Sequence, residues 1–116
     1  MKVMICGSRD WIDEGPIKTV IDGLEPDTVV MHGGARGADQ LAGIIAKERG
    51  LEVEVHEPDW KMHGPNAGIV RNLVMLDLKP DMVYAFWNGG SRGTAHVIRE
   101  AAQRHLPLEV LEIQPI

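Results

Sequence analysis

The chain has 116 residues, 44% hydrophobic and 25% charged, the size and balance of one soluble globular domain (residues 1–116) with its own core. No apolar run approaches the ~18 residues of a membrane span, and a formal net charge of −5 disfavours general binding to nucleic acid or anionic membranes while allowing a local basic pocket. The start, MKVMICGSRDW, has too short an apolar run for a signal-peptide core, and the single cysteine, Cys6, makes no internal disulfide, which fits a cytoplasmic location.

In chain order, strand-like runs alternate with helix-like ones. VMIC (residues 3–6) predicts a first strand, followed by the loop GSRDW and a helix over about residues 16–24 with Pro16 near its start. TVVM (28–31) predicts the second strand and HGGARGAD the loop after it. The helix over 38–49 places Leu41, Ala42 and Ile45 on one face and stops at Gly50. LEVEV (51–55) predicts the third strand, and a third helix runs from Pro65 to about Lys79 with Ile69, Leu73 and Leu76 as its stripe. MVYAFW (82–87) predicts the fourth strand, NGGSRGTA its loop, and residues 94–105 a helix that buries Val97, Ile98, Ala101 and Ala102. LEVLEI (108–113) predicts the fifth strand.

Strict alternation of strand and helix implies a five-stranded parallel sheet with right-handed crossovers, a three-layer α/β/α sandwich. Strands one, two and four are almost continuously apolar, as central parallel strands are. Strands three and five interleave Glu52 and Glu54, then Glu109 and Glu112, which suits edges. The order 3-2-1-4-5, Rossmann-like, puts those two at the edges; the order 2-1-3-4-5 would bury strand three. The switch point then falls between strands one and four, and ligands of open α/β sheets bind at the carboxyl ends of strands near it.

Three loops converge there: Gly7, Ser8, Arg9 and Trp11 after strand one; Gly33, Gly34, Arg36, Gly37 and Asp39 after strand two; Gly89, Gly90, Ser91, Arg92, Gly93 and Thr94 after strand four. The last two loops repeat Gly-Gly-x-Arg-Gly. A cation near a helix N-terminus is unfavourable by ~0.3–1 kcal/mol, so arginines at three such turns make sense if an anion occupies the rim. Glycines let the backbone approach a phosphate, and guanidinium groups add forked donors. Trp11 and Trp60 lie in loops where an indole either stacks on a base or closes the core.

Other chemistries find less support. The chain has no G-x-x-x-x-G-K-[ST], and CGSRDW lacks the G-x-G-x-x-G of dinucleotide enzymes, so no cofactor is expected. His56, Asp59 and His63 have spacings a metal tolerates, but nothing completes a recognisable site and no metal is expected. His32 reads as a hydrogen-bonding residue at a strand end, and Cys6 as a small buried hydrophobe.

GSRDW, HGGARGAD, the DW of Asp59–Trp60 followed by AGIVRN, and AFWNGGSRGT together resemble the SLOG superfamily, most of all its small single-domain branch of YspA/YpsA-like proteins. That superfamily also holds the Lonely Guy phosphoribohydrolases and DprA-like domains. The resemblance implies a Rossmann-like sheet and a nucleotide-type ligand at the glycine-rich rim, and it adds Arg71 and Asn72 as site residues through the RN pattern. It also implies a homodimer or higher homo-oligomer, since such relatives often pair through helices. The Lonely Guy pattern P-G-G-x-G-T-x-x-E, aligned on Gly93-Thr94, meets Asn88 in place of Pro, one extra residue, and Val97 in place of the catalytic Glu. Asp39 and Asp10 are the carboxylates the rim offers for that chemistry, and Asp39 and Arg92 are the candidates for catalysis. The expectation is therefore a protein that captures a small phosphorylated nucleotide or nucleotide-derived ligand, for sensing or sequestration. The alternatives are N-glycosidic cleavage of nucleoside 5′-monophosphates and, behind it, DprA-like nucleic-acid binding.

Overall fold

The computed structural model describes residues 1–112. Their elements run β1 (Lys2–Gly7), α1 (Glu14–Asp22), β2 (Val29–His32), α2 (Ala38–Glu48), β3 (Glu52–Val55), α3 (Trp60–His63), a 3-10 turn (Gly64–Asn66), α4 (Ala67–Asp77), β4 (Met82–Trp87), α5 (Arg92–Gln103) and β5 (Leu108–Glu112). All strand pairs are parallel and the order is β3-β2-β1-β4-β5, the Rossmann-like arrangement that the edge glutamates predict. Ile113, expected at the end of the fifth strand, lies outside the described residues.

Period-two alternation sends successive side chains to opposite faces, and the central strands have apolar residues for both. Val3 and Ile5 of β1, Val30 of β2 and Phe86 of β4 face α1 and α2, packing with Ile17, Ile21, Ala42 and Ile45. Met4 and Cys6, Met31, and Val83 and Ala85 face α4 and α5, packing with Met75, Leu76, Val97 and Ala101. The result is the three-layer sandwich. Ile5, Ile17 and Phe86 are among the fully buried side chains, each contributing about 1.5–3 kcal/mol of burial.

Several local expectations are corrected. Asp13 caps α1 by accepting from the Gly15 amide, so that helix starts at Glu14, two residues before Pro16. Ser91 caps α5, which makes Arg92 rather than Thr94 its first residue. On α5, Val97 and Ala101 are buried but Ala102 is exposed. The phase of α4 differs most. Its buried positions are Ala67, Asn72, Met75 and Leu76, while Ile69, 43% exposed, faces solvent with Val74 and Leu78. The helix is apolar on both sides, so the stripe through Ile69 and Leu73 is rotated about a quarter of a turn from the true inner face, with Leu76 buried as expected. Asn72, polar and buried, decides the phase.

Candidate functional site

The loops after β1, β2 and β4 meet at the carboxyl edge of the sheet and enclose two adjoining clefts. The first, about 230 Å³, lies between the end of β1 and its loop (Cys6, Gly7, Arg9), Ala35 of the β2 loop, Asp39 at the start of α2, Asn72 of α4, and the start of α5 (Ser91, Arg92, Gly93, Thr94, with Val97 behind). The second, about 370 Å³, lies between Arg9, the β2 loop (Gly33, Gly34, Ala35, Arg36), Glu57, Pro58 and Trp60, with Arg71 on its wall. Arg9 and Ala35 line both.

Close backbone contact welds the loops together, and two glycines permit it. A Cβ on Gly7 would lie 2.4 Å from the Phe86 carbonyl oxygen and 2.6 Å from Ala38 Cβ. Gly37, at φ 78°, presses against Ser8 and Arg9: a Cβ there would sit 2.3 Å from the Ser8 carbonyl oxygen. That same carbonyl accepts from the Trp11 and Ala38 amides. Ser8 Oγ accepts from the Asn88 amide at 3.0 Å, and Asn88 Nδ2 donates to Asp10 at 2.6 Å, tying the β1 and β4 loops together.

The two Gly-Gly-x-Arg-Gly turns share one device and differ in another. In each, the residue before the glycines accepts from the amide two residues on. His32 Nδ1 takes the Gly34 amide at 3.0 Å, and Asn88 Oδ1 takes the Gly90 amide at 2.9 Å. Burial brings the His32 pKa down to about 4, so at neutral pH the ring is uncharged and its proton sits on Nε2, leaving Nδ1 to accept. Beyond this point the turns diverge. Asp39 closes the first: its Oδ2 accepts from the Gly33 and Ala35 amides at 3.0 and 3.3 Å. The matching position after β4 is Ala95, which has no carboxylate. The first turn thus carries its own internal anion, and the amides of Gly33, Gly34 and Ala35 are already engaged. The second turn does not. Among the described residues the Arg92 and Gly93 amides, in the first turn of α5, have no protein acceptor. Ser91 and Thr94 hydroxyls sit 2.9 Å apart, so one donates to the other and one O–H remains free.

The charges follow the same asymmetry. Asp39 is 4% exposed, and burial pushes its carboxyl up to about 6 against the opposing pull of Arg71, the two amides and Arg9. Arg71 is half-buried. Its Nε donates to Asn72 Oδ1 at 2.7 Å, and its guanidinium also bonds the Gly33 carbonyl and reaches the His56 carbonyl. It therefore holds the β2 loop from outside while Asp39 holds it from within. Arg49 and Arg104 are paired with acids away from the rim. Arg9, Arg36 and Arg92 form no ion pair or side-chain hydrogen bond among the described residues, and each cleft has more arginines than carboxylates.

Most of the expected site residues do meet here, with two corrections. Trp11 is 2% exposed; its ring packs edge-on against Phe86 at 5.5 Å and its Nε1 donates to the Asp13 carbonyl, so it closes the core and offers no face to a base. Ser8 is fully buried and serves the Asn88 amide rather than a cleft. Gly37, Gly89 (φ 87°) and Gly90, also expected at the site, shape the turns without lining either cleft. Trp60, one of the two indoles offered for stacking, lines the second cleft; residues that sequence reasoning did not assign to the site include Ala35, Glu57 and Val97, which line it, and Asn88, which braces it with Asp10. Cys6 reaches the first cleft, but burial pushes its thiol pKa up, with Asp39 adding to the effect, which disfavours the thiolate. His56, Asp59 and His63 line a separate hollow beside Val70 and Val74, and no group of three metal-ligating side chains occurs among the described residues. No described helix is long and apolar enough to cross a membrane.

A parallel sheet of this order with a glycine- and arginine-lined rim at its switch point defines a Rossmann-like α/β protein. Within that class, the YspA, cpYpsA-related SLOG family (YAcAr) matches residues 1–63. The Gene 61 protein of Mycobacterium phage D29 is 40% identical over 119 aligned residues, covering 92% of this chain and 93% of that protein. The chain belongs to the YspA/cpYpsA-related SLOG family. Its fold is similar to that of DNA processing protein A (DprA) from Streptococcus pneumoniae, with a TM-score of 0.78 and 20% identity over 99% of this chain. The chain spans 50% of that structure.

Proposed function

We propose that this protein binds a small phosphorylated nucleotide or nucleotide-derived ligand at the rim, for sensing or sequestration. The observation that carries the reading is the set of arginines without ion-pair partners among the described residues, Arg9 and Arg92 at the open start of α5 and Arg36 in the adjoining cleft, in a protein of net charge −5. A phosphate in the first cleft meets the free Arg92 and Gly93 amides, one hydroxyl of the Ser91–Thr94 pair, the positive end of the α5 dipole, and the Arg92 and Arg9 side chains.

A second reading, N-glycosidic cleavage, has one observation in its favour: Asp39, with its carboxyl raised to about 6, lines the same cleft as Arg92. Against it, Val97 lines the cleft where the Lonely Guy pattern has its glutamate, so an apolar group stands where a catalytic carboxylate would be needed. Nucleic-acid binding, the third reading, runs against the net charge of −5. The homo-oligomer implied by relatives finds its support in the exposed apolar side chains Ile69, Val74 and Leu78 on and just after α4, and light scattering tests it.

Thermal unfolding in the presence of nucleoside 5′-monophosphates, with parallel chromatography for free base, tests the proposal. Ligand at a hundred times its dissociation constant stabilises the fold by about 2.7 kcal/mol, so the transition rises and no base appears. Base release abolished by Asp39→Asn would establish the second reading instead. A transition unmoved by every monophosphate but raised by DNA would establish the third.

A further inference from the structure

We propose that the second cleft is the base subsite, with the Trp60 indole as its stacking platform and the Glu57 carboxylate as the group that reads the base edge, giving a preference for guanine. The inference rests on the nucleotide reading above and extends it to residues outside the glycine-arginine turns.

Size divides the ligand between the clefts. The first, at about 230 Å³, falls below the ~300–1,000 Å³ of small-molecule sites and suits a phosphate with its sugar. The second adds about 370 Å³ and is reached past Arg9 and Ala35, which line both. A ligand anchored by phosphate at the start of α5 extends across Arg9 into the second cleft.

Trp60 is the one aromatic side chain among the described residues that is largely exposed, at 53%, and it lines this cleft. No ring or cation stacks on it among the described residues; the aromatic pairing is between Trp11 and Phe86. Asp59 fixes its position by capping α3, accepting from the Met62 amide at 3.0 Å. An exposed indole held at the mouth of a polar cleft offers a face that any base can stack on.

Glu57 supplies the selectivity. It stands among Arg9, Arg36 and Arg71 on the cleft wall, yet forms no ion pair or side-chain hydrogen bond among the described residues. Its side chain rests over Gly34, where an added Cβ would lie 3.6 Å from Glu57 Cγ and 3.9 Å from Oε1. A carboxylate accepts and cannot donate. Guanine presents two adjacent N–H donors on its Watson–Crick edge, N1–H and the N2 amine, which match its two oxygens. Adenine presents one donor beside a ring-nitrogen acceptor, which faces the carboxylate unfavourably.

Isothermal titration of the full chain with GMP, AMP and ribose 5-phosphate, for the native protein and the Trp60→Ala, Trp60→Phe and Glu57→Gln variants, tests this. The expected results are GMP tighter than AMP by about tenfold or more, and a loss of about tenfold in GMP affinity with Trp60→Ala, restored in large part by Trp60→Phe. Glu57→Gln should collapse the GMP-to-AMP ratio towards one. Ribose 5-phosphate affinity should be unchanged in all variants, which also shows that they are folded. The base-subsite assignment is overturned if GMP and AMP bind alike, if the variants leave GMP affinity within twofold, or if they weaken ribose 5-phosphate as much as GMP. Absence of binding by all three compounds overturns the nucleotide reading itself.

Discussion

Asp39 is the residue whose replacement reports most about the rim. In the unfolded chain its carboxyl titrates near 3.8, whereas burial in the fold lifts it to about 6. Above both values the ionised group makes the fold less stable than a neutral side chain would. As pH falls through about 6 the folded form takes up a proton that the unfolded chain does not, and stability rises until about 3.8, below which both forms are protonated. At 1.36 kcal/mol per pH unit, a difference of about two units corresponds to about 3 kcal/mol. Asp39→Asn keeps a carbonyl oxygen for the Gly33 and Ala35 amides and removes the charge. Urea unfolding at pH 7.5 should show the variant more stable by up to about 3 kcal/mol, with the gain falling below pH 6 to about 1 kcal/mol at pH 4.5 and gone below about 3.8. A variant less stable than the native chain at pH 7.5, or a difference that does not vary with pH, would refute the reasoning.

Other expectations can be checked on the same purified protein. Gly7→Ala drives a Cβ into the Phe86 carbonyl and Ala38, and urea unfolding should register a loss of about 1–3 kcal/mol. Trp11→Ala removes a buried ring and should cost about 3–5 kcal/mol in the same assay, while calorimetry on the fraction that stays folded finds nucleotide affinity unchanged. Arg92→Ala should weaken nucleoside monophosphate binding about tenfold or more, the worth of hydrogen bonds to a charged group. Arg99→Ala, exposed further along α5 and away from both clefts, should leave that affinity as it was.

The sheet was legible because its signals are chemical and local. Apolar runs marked β1, β2 and β4 as central, and Glu52, Glu54, Glu109 and Glu112 marked β3 and β5 as edges, which fixed the order and with it the rim. What escaped was whatever depended on tertiary partners. The four-residue α3 has no periodicity to read, only the Asp59 cap. The phase of α4 was obscured because Ile69, Val74 and Leu78 are as apolar as the residues that pack inward. Trp11 and Trp60 look alike in sequence, both following an aspartate in loop-like stretches, yet one meets Phe86 and the other meets solvent. The repeated turn was the most instructive case. Its two copies read as equivalent anion sites, and only Asp39, seven residues after His32 and matched by Ala95, separates the copy that is satisfied from the copy that is open.

Amide and arginine NMR spectra recorded during titration with a nucleoside 5′-monophosphate put that asymmetry to the test. The account predicts saturable shifts at the backbone amides of Arg92 and Gly93 and at the side chains of Arg9 and Arg92, with the Gly33 and Ala35 amides held to Asp39 and changing far less. Shifts centred on Gly33–Ala35, or spectra unchanged at millimolar ligand, would contradict it.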